Sequence, residues 1–201
     1  KTNSKKFLKN MPSSNKNLVN FLFELGMLKK IAHAGSKFAG VKHPDTLAEH
    51  TCRAAQIGYF LALAENANPE KVSAMCLMHD IAEIRTGDAH RIAQRYLDMP
   101  SAEKKAFNEQ IKSLPPAASK RLKALWEEFQ EQKTLESWVA RDADLLETIL
   151  QAKEYLDLGY RAAQRWLDNG SKYLKTATAK KLFREIIKTQ FTDWWDKLNK
   201  A

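Results

Sequence analysis

The sequence predicts an all-α protein with a single domain, on three observations. Glycine and proline are scarce, at 7 and 6 of 201 residues. Apolar residues recur at helical rather than alternating spacing over long stretches. Residues that start and stop helices punctuate those stretches. A hydrophobic content of 44% with 28% charged residues suits a globular core and excludes a disordered chain. The length allows one well-buried core and is short for two ordinary domains.

The elements follow in order. Residues 1–16 carry Lys1, Lys5, Lys6, Lys9 and Lys16 with no acid, and are expected to form a flexible basic arm preceding a domain over 17–201. Leu18, Phe21, Leu22, Leu25 and Leu28 mark a first amphipathic helix ending near Ile31. Gly35, Gly40 and Pro44 make 33–44 a loop. Thr46 or Asp45 caps a second helix, with Glu49 in its first turn and Ala54, Ile57, Leu61 and Ala64 on its apolar face. Asn68-Pro69 restarts a third helix, which delivers His79 and Asp80 near its end before Gly87 stops the segment. Further helices are expected at about 101–113, 116–131 and 135–158, with Pro115-Pro116 separating the first two. Asn169-Gly170 reads as a turn and 177–198 as a last helix, the whole packing around the second, third and sixth helices.

Several function classes fall away on composition. The longest apolar run, Ile57 to Ala64, is far below the roughly 20 residues of a membrane span, and no signal-peptide core is evident, so a soluble cytoplasmic protein is expected. Cys52 and Cys76 lack CxxC spacing and lie in apolar helical stretches, where reduced core residues are expected. The aromatic group Trp126, Phe129, Trp138, Trp166, Trp194 and Trp195 is expected to serve the core or a dimer contact. The net charge of +9 favours anionic partners, whether nucleotide, nucleic acid or anionic lipid. A nucleic-acid-binding module with a structural metal is therefore the alternative to an enzyme, and is not favoured.

The chemistry concentrates in His50, the adjacent pair His79-Asp80, and Asp144. Two imidazoles and two carboxylates can hold one divalent ion (Mn, Co, Fe, Mg or Zn) and leave positions open for water and substrate. Adjacent ligands stand about 100° apart around a helix, so both reach one ion only close to the helix surface or at its frayed end. Glu83 lies one turn after His79 on the same face, and Asp88 follows the Gly87 break. Asp142 competes with Asp144 within Arg141-Asp142-Ala143-Asp144, but the two project about 160° apart. Arg53, three residues after His50, is a candidate to hold an acidic metal ligand from behind. His43 and His90 read as loop residues.

The pattern His79-Asp80-Ile81-Ala82-Glu83 followed by Thr86-Gly87-Asp88, with Pro44 to His50 upstream and Asp144 to Glu147 downstream, resembles the HD-domain phosphohydrolase superfamily. It is most similar to the 5′-deoxynucleotidase branch, whose stretches P-E-S-V-A-E-H and H-D-x-x-E-x-x-x-G-D correspond to residues 44–50 and 79–88. The resemblance covers about residues 18–190 and implies a helical bundle with a divalent metal site between helices. It implies His50, His79, Asp80 and Asp144 as metal ligands, the last chosen because the family ligand stands three residues before the Glu that is here Glu147. Glu83 would orient or deprotonate the attacking water, and Asp88 would contact the sugar or assist proton transfer. The implied activity is removal of phosphate from (deoxy)nucleoside 5′-monophosphates, with a homodimer as the common assembly. Hydrolysis of another phosphate ester, a nucleoside triphosphate or a nucleotide second messenger, is the alternative within that chemistry.

One departure stands out. Relatives carry an Arg followed closely by a Trp in the loop where this chain has His33 and Ser36. A neutral imidazole lacks the guanidinium fork, so phosphate contact is expected from His33, Lys37, Arg85 or Arg91, and the preference for deoxyribose is open.

Overall fold

A computed structural model describes residues 12–196 and 198. Among these the only β pairing is an isolated bridge between Ala32 and Thr46, and the rest is helix, 3₁₀ turn and loop. Helix α1 spans Pro12–Leu25 and continues as a 3₁₀ turn, Gly26–Lys30. Of the basic arm, residues 1–11 lie outside the described residues, and 12–16 open α1.

Helix α2 (Leu47–Glu65) starts on a capping box. The Glu49 N–H donates to Thr46 Oγ1 (3.3 Å) and the Thr46 N–H donates to Glu49 Oε2 (2.7 Å). It ends at Asn66 in the left-handed region, φ 56°. Asn68 then caps α3 (Pro69–Met78), with Pro69 at its first position. α2 and α3 approach closely at Gly58, where an added Cβ would stand 2.9 Å from Val72 Cγ1 and 3.1 Å from Cys76 Sγ. A short α4 (Glu83–Thr86) follows, then α5 (Met99–Ile111), α6 (Pro116–Glu131) and the long α7 (Leu135–Asp157), which Thr134 caps. α8 (Gln164–Gly170), α9 (Ala177–Lys188) and α10 (Asp193–Asp196) follow.

The centre of the bundle is α2, α3 and α7. Ala54, Leu61, Val72, Met75, Phe129, Val139 and Leu146 fill the space between them, each large apolar side chain contributing roughly 1.5–3 kcal/mol by its removal from water. A second cluster joins α1, Ile81 and α5, where Phe107 stacks on Trp126 at 4.5 Å. A third packs Val41, Tyr155 and Leu167 under the loop 33–44. The ends of that loop are tied by His33 N–H to Asp45 O and Leu47 N–H to Ile31 O, both 2.9 Å, which seats His33 at the start of α2.

Three expectations are corrected. Asn169-Gly170 is not a turn but the end of α8, and Gly170 is there for space, since a Cβ would meet Ile149 at 2.7 Å and Phe183 at 2.9 Å. The last helix is two, because Thr189 adopts an extended conformation that stops α9. Cys52 is exposed, on the side of α2 turned from His50, while Cys76 is buried as expected. Of the aromatic group, Trp126 and Phe129 are core, whereas Trp138 and Trp194 are substantially exposed.

Candidate metal centre

Each candidate ligand is delivered by a local feature of the chain. His50 is on the first turn of α2, fixed by the capping box. α3 ends at Met78, so His79 is its C-cap and Asp80 stands in the following turn. The Glu83 N–H donates to Asp80 O (3.0 Å), which closes that turn and lets two adjacent side chains face one point. Asp144 projects from the middle of α7, where Arg141 Nη1 donates to its Oδ2 (2.9 Å). Asp142 faces elsewhere: fully buried, it accepts from the N–H groups of Lys175 (2.8 Å) and Thr176 (2.7 Å) and ties α7 to the start of α9.

The four converge. His50, His79 and Asp80 each offer an atom within 4.8 Å of the others. Asp144 Oδ1 lies 3.3 Å from His50 Nε2 and 3.7 Å from His79 Nε2, and Asp80 Oδ1 lies 3.1 Å from His79 Nε2. Ligand atoms about 2.0–2.2 Å from one ion stand at comparable separations from each other. Both imidazoles are oriented from behind. His79 Nδ1 is 2.8 Å from Cys76 O, and His50 Nδ1 contacts Glu147, so that both present Nε2 to the cluster. This is how metal-binding histidines are held.

The electrostatics point the same way. Burial opposes protonation of His50 and His79, yet the carboxylates around them, Asp144 and Asp80 with Glu147 on His50, outweigh it and raise both pKa values. Burial by itself raises the pKa of Asp144, but contact with the two imidazoles holds it well below the carboxylate range. Glu83 is pushed up to about 10, first by burial and then by the charges of Asp80, Asp88, Glu103 and Asp144. Its Oε2 is buried without a protein partner. Such an excess of negative charge and an orphaned oxygen are what a cation and its bound water would relieve, so the residues fit a divalent ion.

The sequence uses Glu147 only as the marker that selects Asp144, and gives Asp45, Tyr155 and Glu103 no role at the site. Glu147 stands three residues after Asp144 on the same helical face, a signal that spacing could have supplied. Arg53 Nε donates to its Oε1 (2.9 Å), while Arg53 Nη1 and Nη2 reach Glu154 (2.5 Å) and Gln151 (2.8 Å). Arg53 thus braces a residue that orients a ligand rather than a ligand itself. Asp45 and Tyr155 gave no signal: His33 Nδ1 is 2.8 Å from Asp45 Oδ2, and the Tyr155 O–H donates to Asp45 Oδ1 (2.9 Å) across 110 residues. Glu147→Gln is expected to weaken divalent-metal affinity by about 10–100-fold, measured by competition against a chromogenic chelator; unchanged affinity would remove Glu147 from this role.

The remaining candidates divide. His33 is close, its ring centroid 4.5 Å from that of His50, and Asp88 joins it by accepting from the Ala34 N–H (2.6 Å). Burial works against charging His33, but Asp45 outweighs it and raises its pKa. Lys37 is exposed on the 3₁₀ turn Gly35–Ala39. Arg85 is engaged by Glu24 (2.6 Å) and Glu109 (3.4 Å). Arg91 lies 4.9 Å over the Tyr173 ring and donates to its hydroxyl (3.2 Å).

Comparison with known proteins gives the family and the fold. A family model described as HD domain matches residues 25–186. A 5′-deoxynucleotidase of Bos taurus is 31% identical over 146 residues, 71% of this chain and 70% of that protein. A conserved hypothetical protein of Pyrococcus furiosus has a solved structure similar at a TM-score of 0.70 with 26% identity, covering 85% of this chain and 99% of that one. A structure described as a predicted metal-dependent phosphohydrolase of Magnetospirillum magnetotacticum reaches 0.72 at 23% identity, over 88% and 92%, a likeness of fold.

Proposed function

We propose, for a chain that belongs to the HD-domain family, the activity of a metal-dependent 5′-deoxynucleotidase that removes phosphate from deoxynucleoside 5′-monophosphates. The observation that carries this reading is the convergence of His50, His79, Asp80 and Asp144, with both Nε2 atoms aimed inward. In this reading those four hold one divalent ion, for which Mn, Co, Fe, Mg and Zn are all compatible. When bound, the ion supplies charge stabilisation for the transferring phosphoryl group and acidifies the attacking water.

The chain's own groups do the rest. Glu83 is placed to accept the water's proton at its free Oε2, which no protein donor occupies. Asp88, fixed by the Ala34 N–H, contacts the sugar or assists transfer of the proton taken by Glu83 to the leaving 5′ oxygen. His33, which Asp45 favours in its protonated form, takes the place of the relatives' Arg as the phosphate contact, with Lys37 exposed on the following 3₁₀ turn as a second cation. We leave Arg85 and Arg91 out of this role because Glu24, Glu109 and Tyr173 already engage them.

Two coarser matters follow. No helix among the described residues is long and apolar enough to cross a membrane; the cytoplasmic location expected from sequence is supported by the two free thiols. A homodimer is supported by the exposed stripe Val19, Leu22 and Phe23 on α1, whose spacing is that of one helical face.

Product analysis tests the substrate class. Deoxynucleoside 5′-monophosphates are expected to yield nucleoside and orthophosphate. Release of pyrophosphate or triphosphate from nucleoside triphosphates, with monophosphates untouched, would overturn the reading in favour of another HD-type hydrolysis.

A further inference from the structure

The loop that carries His33 and the segment that carries Asp88 are joined twice. One joint is polar, the Ala34 N–H donating to Asp88 Oδ2 at 2.6 Å. The other is aromatic: the Phe38 and His90 rings meet edge to face, with centroids 4.8 Å apart and planes at 84°. Below the first joint lies the metal cluster, since His33 is 4.5 Å from His50 ring to ring. The second joint lies four residues further along one strand of the brace and two along the other.

Phe38 is 56% exposed in this position. Among the described residues the other exposed phenylalanines, Phe23 and Phe60, are on helices, whereas Phe38 sits on a five-residue 3₁₀ turn, Gly35–Ala39, whose following Gly40 adopts φ 85°. His90 is fixed in turn, its Nδ1 accepting from the Ala93 N–H (3.1 Å). In the neutral ring that leaves the proton on Nε2, a donor. An immobilised imidazole thus supports an exposed phenyl ring beside the site.

We infer that the Phe38–His90 pair is the base-contacting wall of the site, with the Phe38 ring stacking on the nucleobase of the bound nucleotide. This rests on the nucleotidase reading and deepens it: the preferred substrate carries an aromatic base, and the wall discriminates against phosphate esters that lack one. The phosphate stays at the metal cluster, the sugar passes the Asp88 brace, and the base reaches the outer, aromatic joint. A stack of this kind accepts purine and pyrimidine alike, because every base has a π-face.

The test compares a deoxynucleoside 5′-monophosphate with 2-deoxyribose 5-phosphate, which keeps the sugar and phosphate and lacks the base. Phe38→Ala is expected to raise KM for the nucleotide about tenfold with kcat changed by less than about twofold, a loss in the range of one base–aromatic stack. The abasic ester should lose far less, and Phe38→Trp should restore nucleotide KM. Equal losses on both compounds would mean that Phe38 only shapes the loop, and no loss on either would mean that it does not meet the base; each result overturns the inference. A wild-type protein that releases phosphate from neither compound would refute the nucleotidase reading, and the inference with it.

Discussion

Asp80→Asn is expected to lower kcat/KM for phosphate release by at least about 1,000-fold. The substitution keeps the volume and one oxygen of the side chain but removes the charge. Asp80 Oδ1 is 3.1 Å from His79 Nε2 and Oδ2 is 3.7 Å from His50 Nε2, so the lost charge comes from the middle of the ligand set. Electrophilic stabilisation by a bound ion accounts for several kcal/mol of barrier, and each ~1.4 kcal/mol is tenfold in rate. The fold should survive, because the turn is held by the backbone carbonyl of Asp80 accepting from the Glu83 N–H, which the substitution does not touch. Steady-state rates at saturating metal, with circular dichroism as a folding control, check this. Turnover within tenfold of the parent would remove Asp80 from the centre.

Glu83→Gln is the second large effect, expected to cost kcat about 10²–10⁴-fold while leaving metal affinity within a few-fold. Loss of a positioned general base has that magnitude. Glu83 suits the part because its Oε2 is buried and free, and because the side chain is surrounded by Asp80, Asp88, Glu103 and Asp144. In the absence of a cation these charges and burial hold its carboxyl protonated, with a pKa of about 10. Positive charge within the cluster offsets the same repulsion and returns Glu83 toward the form that accepts a proton. Gln keeps the shape and hydrogen-bonding reach but cannot take the proton. If the variant instead lost its metal in step with its activity, Glu83 would be a ligand rather than a base.

How much of this was legible in sequence divides along the distance over which each interaction acts. The caps of α2, α3 and α7 are local: Thr46 with Glu49, Asn68 with Pro69, and Thr134 with Ser137 act over three residues or fewer, and periodicity located the helices that they start. The resemblance selects Asp144 over Asp142, helical geometry only sets the two apart, and their carboxylates do face different neighbours. What failed depended on packing. Gly170 resembles a turn glycine, but Ile149 and Phe183 crowd it within a helix. The break at Thr189 has no glycine or proline to announce it.

The site shows the same division. His79-Asp80 and Glu83 to Asp88 form one continuous motif, and His50 precedes it by one helix. The group that orients His50 is 97 residues away, and the pair that holds His33, Asp45 and Tyr155, meets across 110. Spacing from Asp144 puts Glu147 on the site's face of its helix, but no local spacing encodes its contact with His50 or the meeting of Asp45 and Tyr155. They exist because α2 and α7 lie side by side at the centre of the bundle.

The most direct measurement is a metal titration of the chelated protein, read as orthophosphate released from a deoxynucleoside 5′-monophosphate. The predicted result is activity abolished by chelation and regained in proportion to added divalent ion, saturating at one ion per chain. Phosphate release that persists unchanged after the metal is stripped would contradict a catalytic centre built on His50, His79, Asp80 and Asp144.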